Sequence, residues 1–206
     1  MRSALSLTSA RLDLVSAQTE HAEAFADAAM ESVIELSQWA RRETHRLDRA
    51  HYIQQALARA AGTAAGTSTH RYGFIRSAPQ QLVCSVTLRP WRNPRAALNP
   101  SHHLLVEGSP DLEVGCWCRT SLTGNGYASE AVSAVVEHAF ADVGTQAIWV
   151  RVAELNVRSR RLAERLGFVE VDRIDFPSSP EWGEAATVLV MRRDATPSSA
   201  QTAQLT

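Results

Sequence analysis

Apolar positions along the chain switch between two periods. ARLDLVSA (10–17) alternates, with Leu12 and Leu14 on one side, which predicts a strand. After Thr19, a predicted N-cap, the spacing becomes helical through Ala22, Phe25, Ala26, Ala29 and Met30. A second helix is predicted after Asp48, with the stripe Tyr52, Ile53, Ala56, Leu57 and Ala60, and Gly62 as its stop. HRYGFIRS (70–77) and QLVCSVTL (81–88) are β-rich runs flanking APQ, and they predict a hairpin. Residues 92–111 carry Pro94, Pro100 and Pro110 and predict a loop insertion, with a short strand at HLLVE (103–107). LEVGCWCR (112–119) predicts a strand. Ala128, Ala131, Val132, Val135, Val136, Ala139 and Phe140 form the most regular helical stripe, ended by Gly144. QAIWVRV (146–152) predicts a strand, and Asn156 then caps a short helix through Val157, Leu162, Ala163 and Leu166 to Gly167. FVEV (168–171) and EAATVLVMRR (184–193) predict the last strands, and 194–206 a disordered tail. The order β α α β β β α β α β β describes one mixed α/β domain over 1–193 with an antiparallel meander in its middle.

Composition removes several classes of function. A 206-residue chain that is 45% hydrophobic can bury a core without disulfides. A net charge of −1 supplies no basic field to recruit nucleic acid. Cys84, Cys116 and Cys118 are odd in number and lack metal-ligand spacing, so reduced thiols, a cytoplasmic setting and no bound metal are expected. No stretch reaches about 18 apolar residues, so no membrane span is expected.

The chemistry concentrates at LTGNGYASEAV (122–132), between a strand and the strongest helix. Two glycines next to a helix N-terminus make an anion site, usually one for phosphate. One way to fill it is a dinucleotide fold, with GNGYAS as an imperfect G-x-G-x-x-G and Glu154 as the ribose-binding acid. Three features oppose that NAD(P)-binding oxidoreductase reading. The preceding strand carries Glu113 and Arg119, four residues (120–123) precede the glycines, and the N-terminal strands form a meander instead of βαβ units.

A second reading explains more of the chain. EVGCWC followed by TGNGYASEA, then IWVRVAELNVRSRRLAERLGF, resembles the GNAT superfamily of acetyl-CoA-dependent N-acyltransferases. The likeness is strongest to the Rim-type branch of bacterial ribosomal-protein N-terminal acetyltransferases, and RLDLVSAQTEHAEAF fits that branch's opening strand and helix. The resemblance implies a GNAT fold: a mixed, mostly antiparallel sheet with splayed central strands, flanked by helices. It implies that backbone N–H groups of Gly124, Asn125, Gly126, Tyr127 and Ala128 hold the pyrophosphate of acetyl-CoA. Thr123 stands where the family usually has Gln or Arg, which removes one side-chain contact.

The same resemblance places Trp117 and Cys118 beside the thioester, although their side chains are equally read as core. Asn156 would contact the pantetheine arm as well as cap its helix. Ser159 is a candidate proton donor to the leaving thiolate, or a solvated first-turn serine. The tyrosine that many members use as acid is replaced by Ala163. Glu113 is the candidate base, or an exposed strand-end glutamate. Arg158, Arg160, Arg161 and Arg165 read as a solvated basic face, and His102 and His103 as loop residues.

The reaction expected is direct attack of a primary amine on acetyl-CoA. A peptide α-amine has a pKa of about 7.7–8.0 and lysine about 10.4, so a site with one candidate base leans toward a protein or peptide N-terminus. A small amine such as an antibiotic or polyamine, or a non-catalytic acyl-CoA-binding module, remain the alternatives. The resemblance also allows a homodimer.

Overall fold

The computed structural model describes residues 6–40, 48–94, 111–177 and 185–196. The predicted strand at 103–107, His102, His103 and the tail beyond 196 lie outside them. In chain order the elements are β1 (Leu7–Thr8), β2 (Leu12–Ser16), α1 (Ala22–Glu31), α2 (Val33–Ala40), α3 (Arg49–Ala64), β3 (Thr69–Ile75), β4 (Ala78–Pro90), β5 (Leu112–Cys118), α4 (Tyr127–His138), β6 (Ala147–Ala153), α5 (Val157–Arg165), β7 (Val169–Phe176) and β8 (Ala186–Asp194).

Several local features differ from the expectations. Helix α3 continues through Gly62 to Ala64, past its expected stop, and Thr19 lies in a short 3-10 turn capped by Gln18 instead of capping the helix itself. Helix α2 is additional. Ser32 separates it from α1 by folding its hydroxyl onto the Ala28 carbonyl at 2.7 Å, a back-bond that competes with helix continuation. The hairpin turns at Arg76–Ser77, and APQ belongs to β4. Arg76 fixes that turn from outside the hairpin, through its N–H to the Arg11 carbonyl at 2.9 Å and its guanidinium to the Ser9 carbonyl at 2.8 Å. The register then jumps from Phe74↔Leu82 to Ile75↔Ala78, which absorbs Pro79–Gln81. The last strand runs through Asp194, where the tail was expected to begin.

The eight strands form one sheet in the order β1-β2-β3-β4-β5-β6-β8-β7. Every neighbouring pair is antiparallel except β5 with β6. That parallel pair is brief: Leu112 pairs with Ile148 and Glu113 with Trp149, and beyond those residues the two strands part.

Strand alternation assigns the two faces. On one face Leu12, Leu14, Val86, Val114, Ile148, Val152 and Leu189 pack against the stripe Ala131, Val132, Val135 and Val136 of α4. On the other, Tyr72, Phe74, Leu82 and Trp117 pack against Phe25, Tyr52 and Ala56 of α1 and α3. Farther along that second face Trp91, Trp149, Ile174, Phe176, Val188 and Val190 form a separate cluster, with the Trp91 and Trp149 rings stacked 4.5 Å apart. Each fully buried Val or Leu contributes about 1.5–3 kcal/mol, so the α4 stripe fixes this helix, and with it the loop at its N-terminus, on the sheet.

Candidate active site

The glycine loop is built as its sequence requires. Gly124 and Gly126 have φ of +82° and +79°, conformations that disfavour any side chain. Asn125 folds inward, its amide donating to the Leu122 and Thr123 carbonyls at 3.2 and 3.3 Å. Helix α4 starts at Tyr127, so the N–H groups of Tyr127, Ala128 and Ser129 have no acceptor within the helix. They point out of its N-terminus at the positive end of its dipole. Thr123 turns its hydroxyl onto the Thr120 carbonyl at 2.9 Å, so this side chain stays with its own turn.

Sequence reasoning missed the residue that locks this loop. Arg11, just before β2, lies with its guanidinium 4.4 Å from the centre of the Tyr127 ring. Its Nη1 donates to the Asn125 carbonyl at 3.0 Å and its Nε to Glu130 Oε2 at 2.8 Å. The Arg11 backbone N–H and the Ser9 hydroxyl both donate to Glu130 Oε1, each at 2.6 Å. Partial burial opposes the charge on Glu130, but the bonds from Ser9 and Arg11 outweigh it and hold the carboxyl below the usual range. The guanidinium thus braces the loop against the N-terminal segment, with its charge balanced by Glu130.

The parting of β5 and β6 leaves one edge of β5 open. Arg119 N–H donates to the Val83 carbonyl at 2.7 Å, which sets the hydrogen-bond parity against β4. By alternation, the backbone groups of Val114, Cys116 and Cys118 face the gap. A cavity of about 410 Å³ fills that gap. Val114, Gly115 and Cys116 of β5, Val150–Ala153 of β6, Ser159, Leu162 and Ala163 of α5, and Trp39 of α2 are among its walls. They come from both faces of the sheet, so the cavity passes through it.

The expected site residues distribute unevenly around this cavity. Ser159 lines it, and its N–H donates to Asn156 Oδ1 at 3.0 Å. Asn156 is therefore the cap of α5, one turn from the cavity wall. The Trp117 side chain points the other way, edge to face with Phe25 at 5.5 Å. Cys118 lies further toward the glycine loop, while Cys116, which the sequence did not single out, lines the gap.

Glu113 is not an exposed strand-end residue; its side chain is 4% exposed. Two arginines clamp it. Arg89 Nη2 and Arg151 Nε donate to Oε1 at 2.7 and 2.8 Å, and Arg89 Nε and Arg151 Nη2 to Oε2 at 3.1 and 3.0 Å. A carboxylate offers roughly four lone-pair sites, and all are taken. A general base needs one free, so this geometry gives Glu113 an anchoring job instead. The signal was present in the sequence: a charged residue inside each of two apolar strands, SVTLRP and IWVRVA, needs a buried partner.

Among the described residues no group of His, Cys, Asp and Glu is arranged to hold a metal ion, and no helix is long and apolar enough to cross a membrane.

Solved structures share this architecture. The ribosomal-protein-S5-alanine acetyltransferase of Vibrio fischeri superposes with a TM-score of 0.74 at 13% identity, covering 94% of this chain and 100% of that one. RimJ of Mycobacterium smegmatis, solved with CoA-disulfide, gives 0.76 at 17% identity, covering 98% and 94%. The Salmonella typhimurium acetyltransferase that modifies the N-terminal serine of ribosomal protein L7/L12 gives 0.70 at 14% identity, covering 91% and 97%. No curated protein is a significant sequence match. The family model for the acetyltransferase (GNAT) domain matches residues 11–169, a span that holds the glycine loop, the open edge of β5, the clamp and Ser159, and the chain belongs to the GNAT acetyltransferases.

Proposed function

We infer that this acetyltransferase moves the acetyl group of acetyl-CoA onto the α-amine of a protein or peptide N-terminus. The observation that carries the reading is the cavity at the β5/β6 parting, lined from both faces of the sheet, with room for a cosubstrate on one side and an acceptor on the other. In this reading the N–H groups at Gly124–Ala128 hold the pyrophosphate, with the Arg11 guanidinium beside them. The pantetheine arm lies along the open edge of β5 and past Asn156. A gap-facing N–H, that of Cys116 or Cys118, polarises the thioester carbonyl where negative charge develops.

The neutral amine attacks the carbonyl carbon, and the C–S bond breaks as the amide forms. The amine's proton passes to water, and the CoA thiolate takes one from solvent, directly or through the Ser159 hydroxyl, which regains its proton from water. A thiol pKa near about 8.5 makes thiolate a tolerable leaving group, and an α-amine pKa of about 7.7–8.0 leaves a useful neutral fraction without a strong base. Glu113 serves here by holding Arg89 and Arg151 in place. The likeness to the Salmonella typhimurium enzyme that modifies the N-terminal serine of L7/L12 supports the choice of acceptor. The test is a rate comparison between a peptide with a free α-amine and an acetyl-blocked peptide with a free lysine. Faster modification of the α-amine is expected, and preference for lysine refutes the reading.

A further inference from the structure

The clamp does more than bury a glutamate. Two guanidinia against one carboxylate leave one net positive charge in the cavity wall, and the wall's other described residues are uncharged. Arg89 and Arg151 are 50% and 31% exposed, so this charge is open to the cavity. Each spends Nε and Nη2 on Glu113 and leaves Nη1 without a hydrogen-bond partner among the described residues. Glu113 fixes both side chains, so these donors are already held in place at little further entropic cost. They lie on the face of the sheet opposite α4, away from the helix whose N-terminus carries the glycine loop.

An acceptor rich in ammonium groups meets the wrong electrostatics here, because the one carboxylate among the wall's described residues has no lone pair to offer. An acceptor carrying a carboxylate meets two preset donors. The same charge disfavours protonation of the incoming amine, which helps a site whose described residues offer no free base. We propose that Arg89 and Arg151, locked by Glu113, form a carboxylate-binding subsite, and that the acceptor is a chain N-terminus with an acidic side chain among its first residues. This rests on the N-terminal reading above and narrows it.

The test compares kcat/KM for three peptides that share an N-terminal serine and differ at the second residue: Asp, Asn or Lys. It uses the full chain and its Arg89→Gln and Arg151→Gln variants, and follows CoA release. The ratio between two peptides on one enzyme sample does not depend on its folded fraction. Charge-assisted bonds to a carboxylate predict Asp over Asn by about tenfold, with Lys lowest. The ratio should fall toward unity in either variant. Equal rates, a preference for Lys, or an Asp preference that survives both substitutions would overturn the subsite while leaving N-terminal acetylation standing. Acetylation of a polyamine such as spermidine but of none of the peptides would sink both.

Discussion

Arg151 reaches across the point where β5 and β6 part and grips Glu113 with Nε and Nη2, at 2.8 and 3.0 Å from the two carboxylate oxygens. Arg89 does the same from β4. Removing the carboxylate leaves two guanidinia facing each other. Loss of a buried partner costs about 3–5 kcal/mol, and partial exposure of both arginines lowers that to about 1–3 kcal/mol for Glu113→Ala. Chemical denaturation measures it. A base assignment makes a separate demand: Glu113→Gln would abolish the acidic limb of the pH–rate profile. The clamp predicts that the limb survives, because it belongs to the acceptor amine.

Arg11 bridges the N-terminal segment and the glycine loop. Arg11→Ala removes a charge and three tethers to that loop, the bonds to Asn125 and Glu130 and the contact with Tyr127. The expected result is about tenfold weaker acetyl-CoA binding with kcat little changed. Calorimetric titration with acetyl-CoA checks the first part and initial rates at saturation the second. A kcat effect with unaltered affinity would place Arg11 elsewhere in the cycle.

Gly126 tests the loop itself. A Cβ there meets only Arg11 Nη2 at 3.5 Å, an ordinary contact, so space is not the constraint. The constraint is φ of +79°. Gly126→Ala should cost about 1–2 kcal/mol of stability and weaken acetyl-CoA binding as the loop relaxes. Unchanged binding would mean that the loop is a turn and no more.

The general shape of the site was readable because its signals are local. Gly124, Gly126 and the α4 stripe lie within twenty residues, and each reports a backbone demand that no distant contact can change. Asp48 and Asn156 announced their caps for the same reason: in each, a side-chain oxygen accepts an N–H three residues on. That Arg89 and Arg151 each need a partner was readable, but their pairing with Glu113 was not. The two arginines lie 24 and 38 residues from Glu113, and only strand order brings them together. Arg11 is 119 residues from Glu130. Trp117 was singled out by its place in a motif, but the backbone groups that face the gap are set by the parity of hydrogen bonds to β4, which a single strand does not encode. Helix α2 was hidden because Ser32 and Glu35 interrupt its apolar pattern.

Ser159 separates the two sources of the proton for the leaving thiolate. Its backbone N–H, and not its hydroxyl, completes the cap with Asn156. Ser159→Ala should therefore leave thermal stability unchanged. If its hydroxyl supplies the proton, kcat falls about a hundredfold with KM for acetyl-CoA unaltered. A kcat within twofold of wild type would assign the proton to water.

His70 gives the fold a pH response. Burial, then the nearby Arg59 and Arg89 charges, lower its pKa from 6.5 to about 4. Between those values the unfolded chain binds a proton and the folded chain does not, so stability rises with pH over that window and levels off outside it. Melting temperatures from pH 4 to 7 should show this slope, and His70→Gln should flatten it. A slope that persists in the variant would point to other groups.

Whether the glycine loop and the β5/β6 gap together hold acetyl-CoA is read from a thermal-shift titration of the full chain with acetyl-CoA, run beside NAD. At about 100 times its dissociation constant a ligand stabilises the fold by about 2.7 kcal/mol. A clear rise in melting temperature with acetyl-CoA and none with NAD is expected. A rise with NAD alone, or no rise with acetyl-CoA at saturating concentration, would rule out acetyl-CoA binding at this site.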